Sequence, residues 1–281
     1  MLFKILCVVA AFHGAFSADT RNIVQYLSAN PEYSTLVGLV KDAGLVASLS
    51  APGSLTVLAP TNDAFKALPA STLSALQKDK NQLKTVLLYH VINKALISFL
   101  ITDGEVESTL ANQNVTFSKT GTSLKVNNAP ISNSDVIVSN GVIHTIDAVL
   151  IPSTENILQY IVKHDDMFSD LFAALVVTNL ESVLEGGQFT VFAPTDDAFK
   201  KISSALPPDA ASLARVLKYH VVPGLHPASS LKDGDMLNTL AGKALKVDLS
   251  KGVKIGSGKV INADIMAVNG IIHVIDTVQV P

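Results

Sequence analysis

Residues 140–152 read NGVIHTIDAVLIP, and residues 269–281 read NGIIHVIDTVQVP. Asn-Gly suits the two central positions of a type I′ turn, both of which need positive φ, so DVIVSNGVIHTID is expected to be a β-hairpin. In its second strand Val142, His144 and Ile146 share one face, while Ile143, Thr145 and Asp147 share the other. His144 therefore keeps apolar company and is expected indoors, as is His273 between Ile271 and Ile275. A buried neutral imidazole is held by hydrogen bonds to backbone or hydroxyl partners; the alternative for these two is a ligand or catalytic role.

Two further stretches repeat around this one. TVLAPTNDAFKAL at Thr56–Leu68 returns 134 positions later as TVFAPTDDAFKKI at Thr190–Ile202. LLYHVI, holding Tyr89-His90, returns 130 positions later as LKYHVV, holding Tyr219-His220, and the hairpin itself returns after 129. Three matches in one order at nearly fixed spacing indicate duplication of a whole domain, since solenoid repeats are only about 20–50 residues long. The boundary is expected near IPSTENI: Pro152 closes the first copy, and Ser153 or Thr154 caps the first helix of the second.

Each copy reads as a helical front followed by a strand-rich back. TRNIVQYLSANPEYSTLVGLVKDAGL carries apolar residues at helical spacing on either side of Pro31, as does TENILQYIVKHDDMFSDLFAALVVTNL after Ser153. SLTVLAP and QFTVFAP are short β-rich runs that stop at Pro. In PTNDAF and PTDDAF the Thr is a good helix N-cap, and Asp63 or Asp197 falls in the first turn, where a carboxylate meets free N–H groups and the positive end of the helix dipole; a metal site is the rival reading. From DGEVES onward, short β runs punctuated by Asn, Gly and Ser mark a compact antiparallel set. The fold class is α+β, written twice.

With 281 residues, 48% hydrophobic and 16% charged, the chain has the composition of a folded protein of two domains. Its 21 Lys and Arg against 24 Asp and Glu leave no basic footprint for nucleic acid. MLFKILCVVAAFHGAFSADT has the basic start, short apolar run and small residues of a secretory signal, which places a signal peptide at 1–17 and the mature start at Ala18. The run is too short for the roughly 20 residues of a spanning helix. Cleavage would remove Cys7, the one cysteine, so the secreted product would rest on core burial without disulfides. The end, TVQVP, has no lipid-anchor tail, and the expected product is soluble and extracellular. Asn114-Val115-Thr116 is an N-glycosylation acceptor pattern.

The set T-V-x-A-P-T-[ND]-D-A-F, Y-H and N-G-[VI]-I-H-x-I-D-x-V, in that order over about 130 residues, resembles the fasciclin (fasciclin-like) domain. The resemblance covers nearly all of the expected mature chain, with domain 1 at 18–152 and domain 2 at 153–281. It implies a β-strand wedge or sandwich with packed helices, in secreted or surface proteins that support cell adhesion and matrix assembly without catalysis or cofactor. In animal members, integrin contact is assigned to an Asp-Ile pair before the N-G-x-x-H motif and to the Tyr-His pair. Those positions are Asp264 and Ile265 in the second copy, Asp135 and Val136 in the first, and Tyr89, His90, Tyr219 and His220. The Asp-Ile position has a structural alternative, in which Asp bonds the turn and the aliphatic residue joins the core.

Enzyme signatures are missing: there is no G-x-S-x-G, H-E-x-x-H or G-x-x-x-x-G-K, and no mature cysteine. His164, Asp165, Asp166 and Asp170 gather in KHDDMFSD, a pattern that suits a helix start or a solvent face better than a metal site. The resemblance also admits a carrier of a small hydrophobic ligand such as a carotenoid or lipid, although 6% aromatic residues and no Trp limit its stacking surface.

Overall fold

The computed structural model describes residues 19–202, 207 and 209–281; the expected signal peptide lies outside them. The chain divides into two compact units at Pro152/Ser153. Both are α+β and share one topology, as the repetition implied.

The first unit opens with α1 (Ile23–Ala29), a 3-10 turn at Pro31–Tyr33, α2 (Ser34–Asp42) and α3 (Val46–Ser50). It continues through β1 (Leu55–Pro60), α4 (Asn62–Lys66), α5 (Ala70–Lys78), α6 (Lys80–Tyr89) and β2 (Val91–Ile92). Then come β3 (Val106–Ser108), β4 (Asn114–Thr120), β5 (Ser123–Val126), β6 (Ala129–Val138) and β7 (Gly141–Ile146). The second unit repeats this as α7 (Ile157–Lys163), α8 (Asp165–Thr178), α9 (Glu181–Glu185), β8 (Phe189–Pro194), α10 (Asp196–Lys201), α11 (Ala210–Lys218) and β9 (Val221–Pro223). It ends with β10 (Met236–Asn238), β11 (Ala244–Asp248), β12 (Lys254–Ile255), β13 (Gly258–Ala267) and β14 (Gly270–Ile275).

Strand order in the first unit is β2-β1-β7-β6-β5-β4-β3, and the second matches it with β9-β8-β14-β13-β12-β11-β10. The strands from β3 to β7 pair antiparallel, as expected. The pairing of β7 with β1 is parallel, and so is that of β14 with β8. The sheet curls until its ends approach, with the Leu110 N–H donating to Val91 O at 2.8 Å and, in the copy, the Leu240 N–H to Val221 O at 2.8 Å. One face of the sheet meets the helices through residues such as Leu27, Leu36, Leu83 and Ile143. The concave face encloses Leu58, Phe117, Val126 and Ile146. Every residue of β7 and β14 is buried, because these central strands have a core on each side.

Two local expectations need correction. The hairpin loops are Ser139-Asn140 and Val268-Asn269, since Val138 pairs with Gly141 and Ala267 with Gly270. None of Asn140, Gly141, Asn269 or Gly270 has positive φ, so neither loop is a type I′ turn. Gly is needed here for close approach: a Cβ on Gly141 would collide with the Leu55 carbonyl oxygen, and one on Gly270 with that of Phe189. The first helix of the second unit is capped by Asn156, which forms a capping box with Gln159, and not by Ser153 or Thr154. Asn22 and Gln25 do the same for α1. The Ser153 hydroxyl instead accepts from the Glu155 N–H at 3.2 Å.

Candidate functional site

The first group of marked residues sits where α6 runs into β2. Because α6 ends at Tyr89, the His90 ring folds back on the last helical turn. Its Nδ1 contacts Val86 O at 2.8 Å, and its Nε2 accepts the Leu150 N–H at 3.0 Å. His220 repeats this with Val216 O at 2.8 Å and the Gln279 N–H at 2.8 Å. The backbone oxygen fixes Nδ1 as donor and the amide fixes Nε2 as acceptor, so both rings are neutral in one tautomer. Burial pushes the pKa of each down to about 4.

Tyr89 is 2% exposed; its hydroxyl donates to Asn114 O at 2.9 Å and accepts from Asn127 Nδ2 at 3.1 Å. Burial pushes its phenol up. The half-buried Tyr219 donates to Ala244 O at 3.1 Å. The Tyr-His pairs thus tie the helix end to the strands and to the closing segment of each unit.

The second group lies at a bulge. Register shifts in β6 between Asn133 and Val136, and in β13 between Asn262 and Ile265, leave Asp135 and Asp264 in the left-handed region, at φ +64° and +58°. Asp tolerates that conformation better than most residues. Each bulge aims a backbone N–H at the imidazole of the neighbouring strand, from Asp135 to His144 Nδ1 at 3.2 Å and from Asp264 to His273 Nδ1 at 3.3 Å.

The other nitrogen, Nε2–H, donates to Leu96 O at 2.9 Å in the first unit and to His226 O at 2.9 Å in the second. The Asp135 carboxylate accepts from the Ser98 N–H at 2.7 Å and from the Ser98 hydroxyl; that of Asp264 accepts from the Ala228 N–H at 2.8 Å. Asp and His therefore grip the same connection from two strands. Both imidazoles lie indoors, as the alternation predicted, and burial lowers their pKa. Val136 and Ile265 are half-buried and pack against the helical cores.

The third group is the acidic motif. Thr61 and Thr195 cap α4 and α10, accepting from the Ala64 and Ala198 N–H groups at 3.2 Å. Asp63 and Asp197 stand in the first turn, exposed, and pair with Lys66 and Lys200 at 2.8 Å. Spacing did not reveal the task of the residue between. Asn62 Oδ1 accepts the Thr35 N–H at 2.9 Å, and Asp196 accepts from the Ser169 hydroxyl at 2.7 Å and the Asp170 N–H at 2.9 Å, which ties each short helix to the longer helix beside it. A cleft of about 510 Å³ beside α4 is lined by Glu32, Thr61, Asn62, Asp63, Ala64, Lys66 and Asp147. Among the described residues no three His, Cys, Asp or Glu side chains are arranged to hold a metal ion. In KHDDMFSD, His164 Nδ1 contacts Tyr160 O at 2.8 Å and its ring stacks on Tyr160 at 4.0 Å.

Asn140, which sequence reading placed in a turn, is 3% exposed and stitches three segments. Its Oδ1 accepts the Ile23 N–H, and its Nδ2 donates to Leu49 O and Ala51 O, all at 2.9 Å. Asn269 repeats two of these bonds, with the Ile157 N–H and Leu184 O. The repetition of N-I-[VL]-Q at Asn22 and Asn156 was a visible signal for the capping boxes. Asn114, the acceptor of the glycosylation pattern, begins β4 and is half-buried.

A family model described as the fasciclin domain matches residues 31–152 and 166–281. Protein sll1483 of Synechocystis is 46% identical over 140 residues, 49% of this chain and 77% of its own. The transforming growth factor-beta-induced protein ig-h3 of Sus scrofa is 33% identical over 244 residues, 85% of this chain; the aligned part is 35% of ig-h3. The solved fasciclin domain pair of the insect cell adhesion molecule fasciclin I aligns over 90% of this chain and 98% of its own, at 21% identity and a TM-score of 0.42.

Proposed function

The chain belongs to the fasciclin-domain family, and on that footing we propose that it is a secreted, non-catalytic adhesion or matrix-interaction protein that works through its two tandem domains. One observation carries the non-catalytic part of this reading. His90, His144, His220 and His273, the buried imidazoles of the family motifs, have both ring nitrogens engaged by backbone groups. No lone pair or ring proton is left over for a substrate or a metal.

The alignment with ig-h3 runs through both domains, but this chain spans about a third of that relative, so partners are inferred at the level of the domain pair alone. Two modules on one chain strengthen weak contacts by raising the effective concentration of the second. The partner class is a cell-surface receptor or matrix component, integrin-like in the family resemblance. The half-buried Asp264, Ile265, Asp135, Val136 and Tyr219 are the marked residues with surface to offer it, whereas Tyr89, His90 and His220 serve as internal braces. A hydrophobic carrier role gains no support from the cleft at α4, whose lining is polar and charged.

The test is attachment of cells to surfaces coated with the full chain. Attachment above an albumin coat, reduced by Asp264→Asn with Ile265→Ser, is expected. Attachment no better than albumin would overturn the reading.

A further inference from the structure

The connection gripped by Asp135 and His144 carries an unusual tip. Ile97 and Ile101 point inward at 7% and 1% exposure, while Phe99 and Leu100 between them stand out at 78% and 57%. The backbone beneath is wired at several points. The Ser98 N–H donates to Asp135, the Leu100 N–H donates to Ile97 O at 2.8 Å, and the Lys119 ammonium donates to Ser98 O at 3.0 Å and Ile101 O at 3.1 Å.

The second unit contains the same turn. His226 takes the place of Leu96, Ala228 that of Ser98, and the buried Leu231 that of Ile101. Where the first unit shows Phe99-Leu100, the second shows Ser229-Ser230. The scaffold therefore does not require the apolar pair.

We propose that Phe99 and Leu100 form a peg by which the first domain docks reversibly on the surface of a lipid bilayer. Three features select this occupant. The pair offers on the order of 250 Å² of apolar surface, far below the roughly 800 Å² per partner of a stable protein interface; a bilayer needs no complementary shape. The turn's internal hydrogen bonds pair the Ser98 and Leu100 N–H groups and the Ile97, Ser98 and Ile101 carbonyls within the protein, which lowers the cost of bringing this backbone up to an apolar phase. The lysines near the tip are committed, Lys119 to the turn and Lys94 to Glu107 and Glu105, and Asp103 and Asp135 add acid, so no basic excess draws the tip to anionic headgroups. The contact is therefore apolar and indifferent to anionic lipid. It is independent of the adhesion reading.

The chain has no Trp, so full-length Phe99→Trp places a single indole at the tip. Phosphatidylcholine vesicles should shift its emission to the blue, and lipids brominated in the acyl chain should quench it. The unsubstituted chain should float with the vesicles, and Phe99→Ser with Leu100→Ser, the pair found in the second unit, should reduce that partitioning about tenfold or more. Ser229→Phe with Ser230→Leu should increase it. Unchanged indole emission, flotation that survives the double serine variant, or binding that appears only with phosphatidylserine and vanishes in salt would each overturn the proposal. A blue shift that grows with protein concentration in the absence of lipid would do the same, by making the peg a contact between copies.

Discussion

The backbone N–H of Asp135 donates to Nδ1 of His144 at 3.2 Å across the β6–β7 pair, from a residue at φ +64°. Asp264 and His273 repeat the relationship at 3.3 Å and +58°. A bulge, a strained acid and a buried imidazole thus act as one device, used twice.

Asp135→Ala should destabilise the first domain by about 2–4 kcal/mol, since it removes the acceptor of the Ser98 N–H and leaves a non-glycine side chain without local hydrogen bonding at positive φ. Asp135→Asn keeps an acceptor and tolerance of that conformation, and should cost about half as much. Urea unfolding of both variants checks the order; equal losses would mean that the carboxylate's bonds contribute little.

Acid should weaken both domains well before general acid denaturation. His90 and His220 titrate near 4 when folded and near 6.5 when unfolded. Their contribution is complete above pH 6.5 and is lost as the pH falls toward 4, because the unfolded chain takes up a proton that the folded one refuses. The loss at pH 5 is about 2 kcal/mol per imidazole relative to pH 7.5. Denaturant midpoints measured at those two values should differ accordingly, and a flat profile would contradict the neutral acceptor role of Nε2.

Gly141→Ala should cost more than about 3 kcal/mol or prevent folding of the first domain, because the added methyl meets a carbonyl of the paired strand with nowhere to go. Gly38→Ala is the control: it lies inside α2 with nothing within 4 Å of the new atom, and should stabilise by about 0.5–1 kcal/mol. Thermal melts of the two variants should move in opposite directions.

Asn140→Ala removes one acceptor and two donors from a site that is 3% exposed. Leaving the Ile23 N–H and the two carbonyls without that partner should cost about 3 kcal/mol. Hydrogen exchange should quicken first at the Ile23 amide; unchanged exchange there would show that another group replaces the side chain.

Much of the fold was legible because it is local. Thr61 and Thr195 announce helix starts, alternation in β7 and β14 places His144 and His273 indoors, and Pro60 and Pro194 stop strands. The hairpins were legible too, but their turn chemistry was not. Asn-Gly fits a tight turn by composition, whereas Gly141 is set by the carbonyl of Leu55, 86 positions earlier, and Asn140 by Ile23, Leu49 and Ala51. Leu55 is brought there by the parallel pairing of β1 with β7, and Ile23, Leu49 and Ala51 by the packing of α1 and α3 against the hairpin; neither leaves a periodic trace. The bulge at Asp135 was likewise hidden, since one extra residue in a strand changes register without changing residue type.

By itself the amino-acid order determined that this protein is one α+β unit written twice, because periodicity, caps and repeated motifs are properties of neighbours along the chain. Only the tertiary structure decided that Tyr89, His90, His144 and His220 are braces with little or no side chain offered to solvent, and that Phe99 and Leu100 are left outside. Burial and hydrogen-bond satisfaction depend on segments far apart in the chain, and packing alone brings those together.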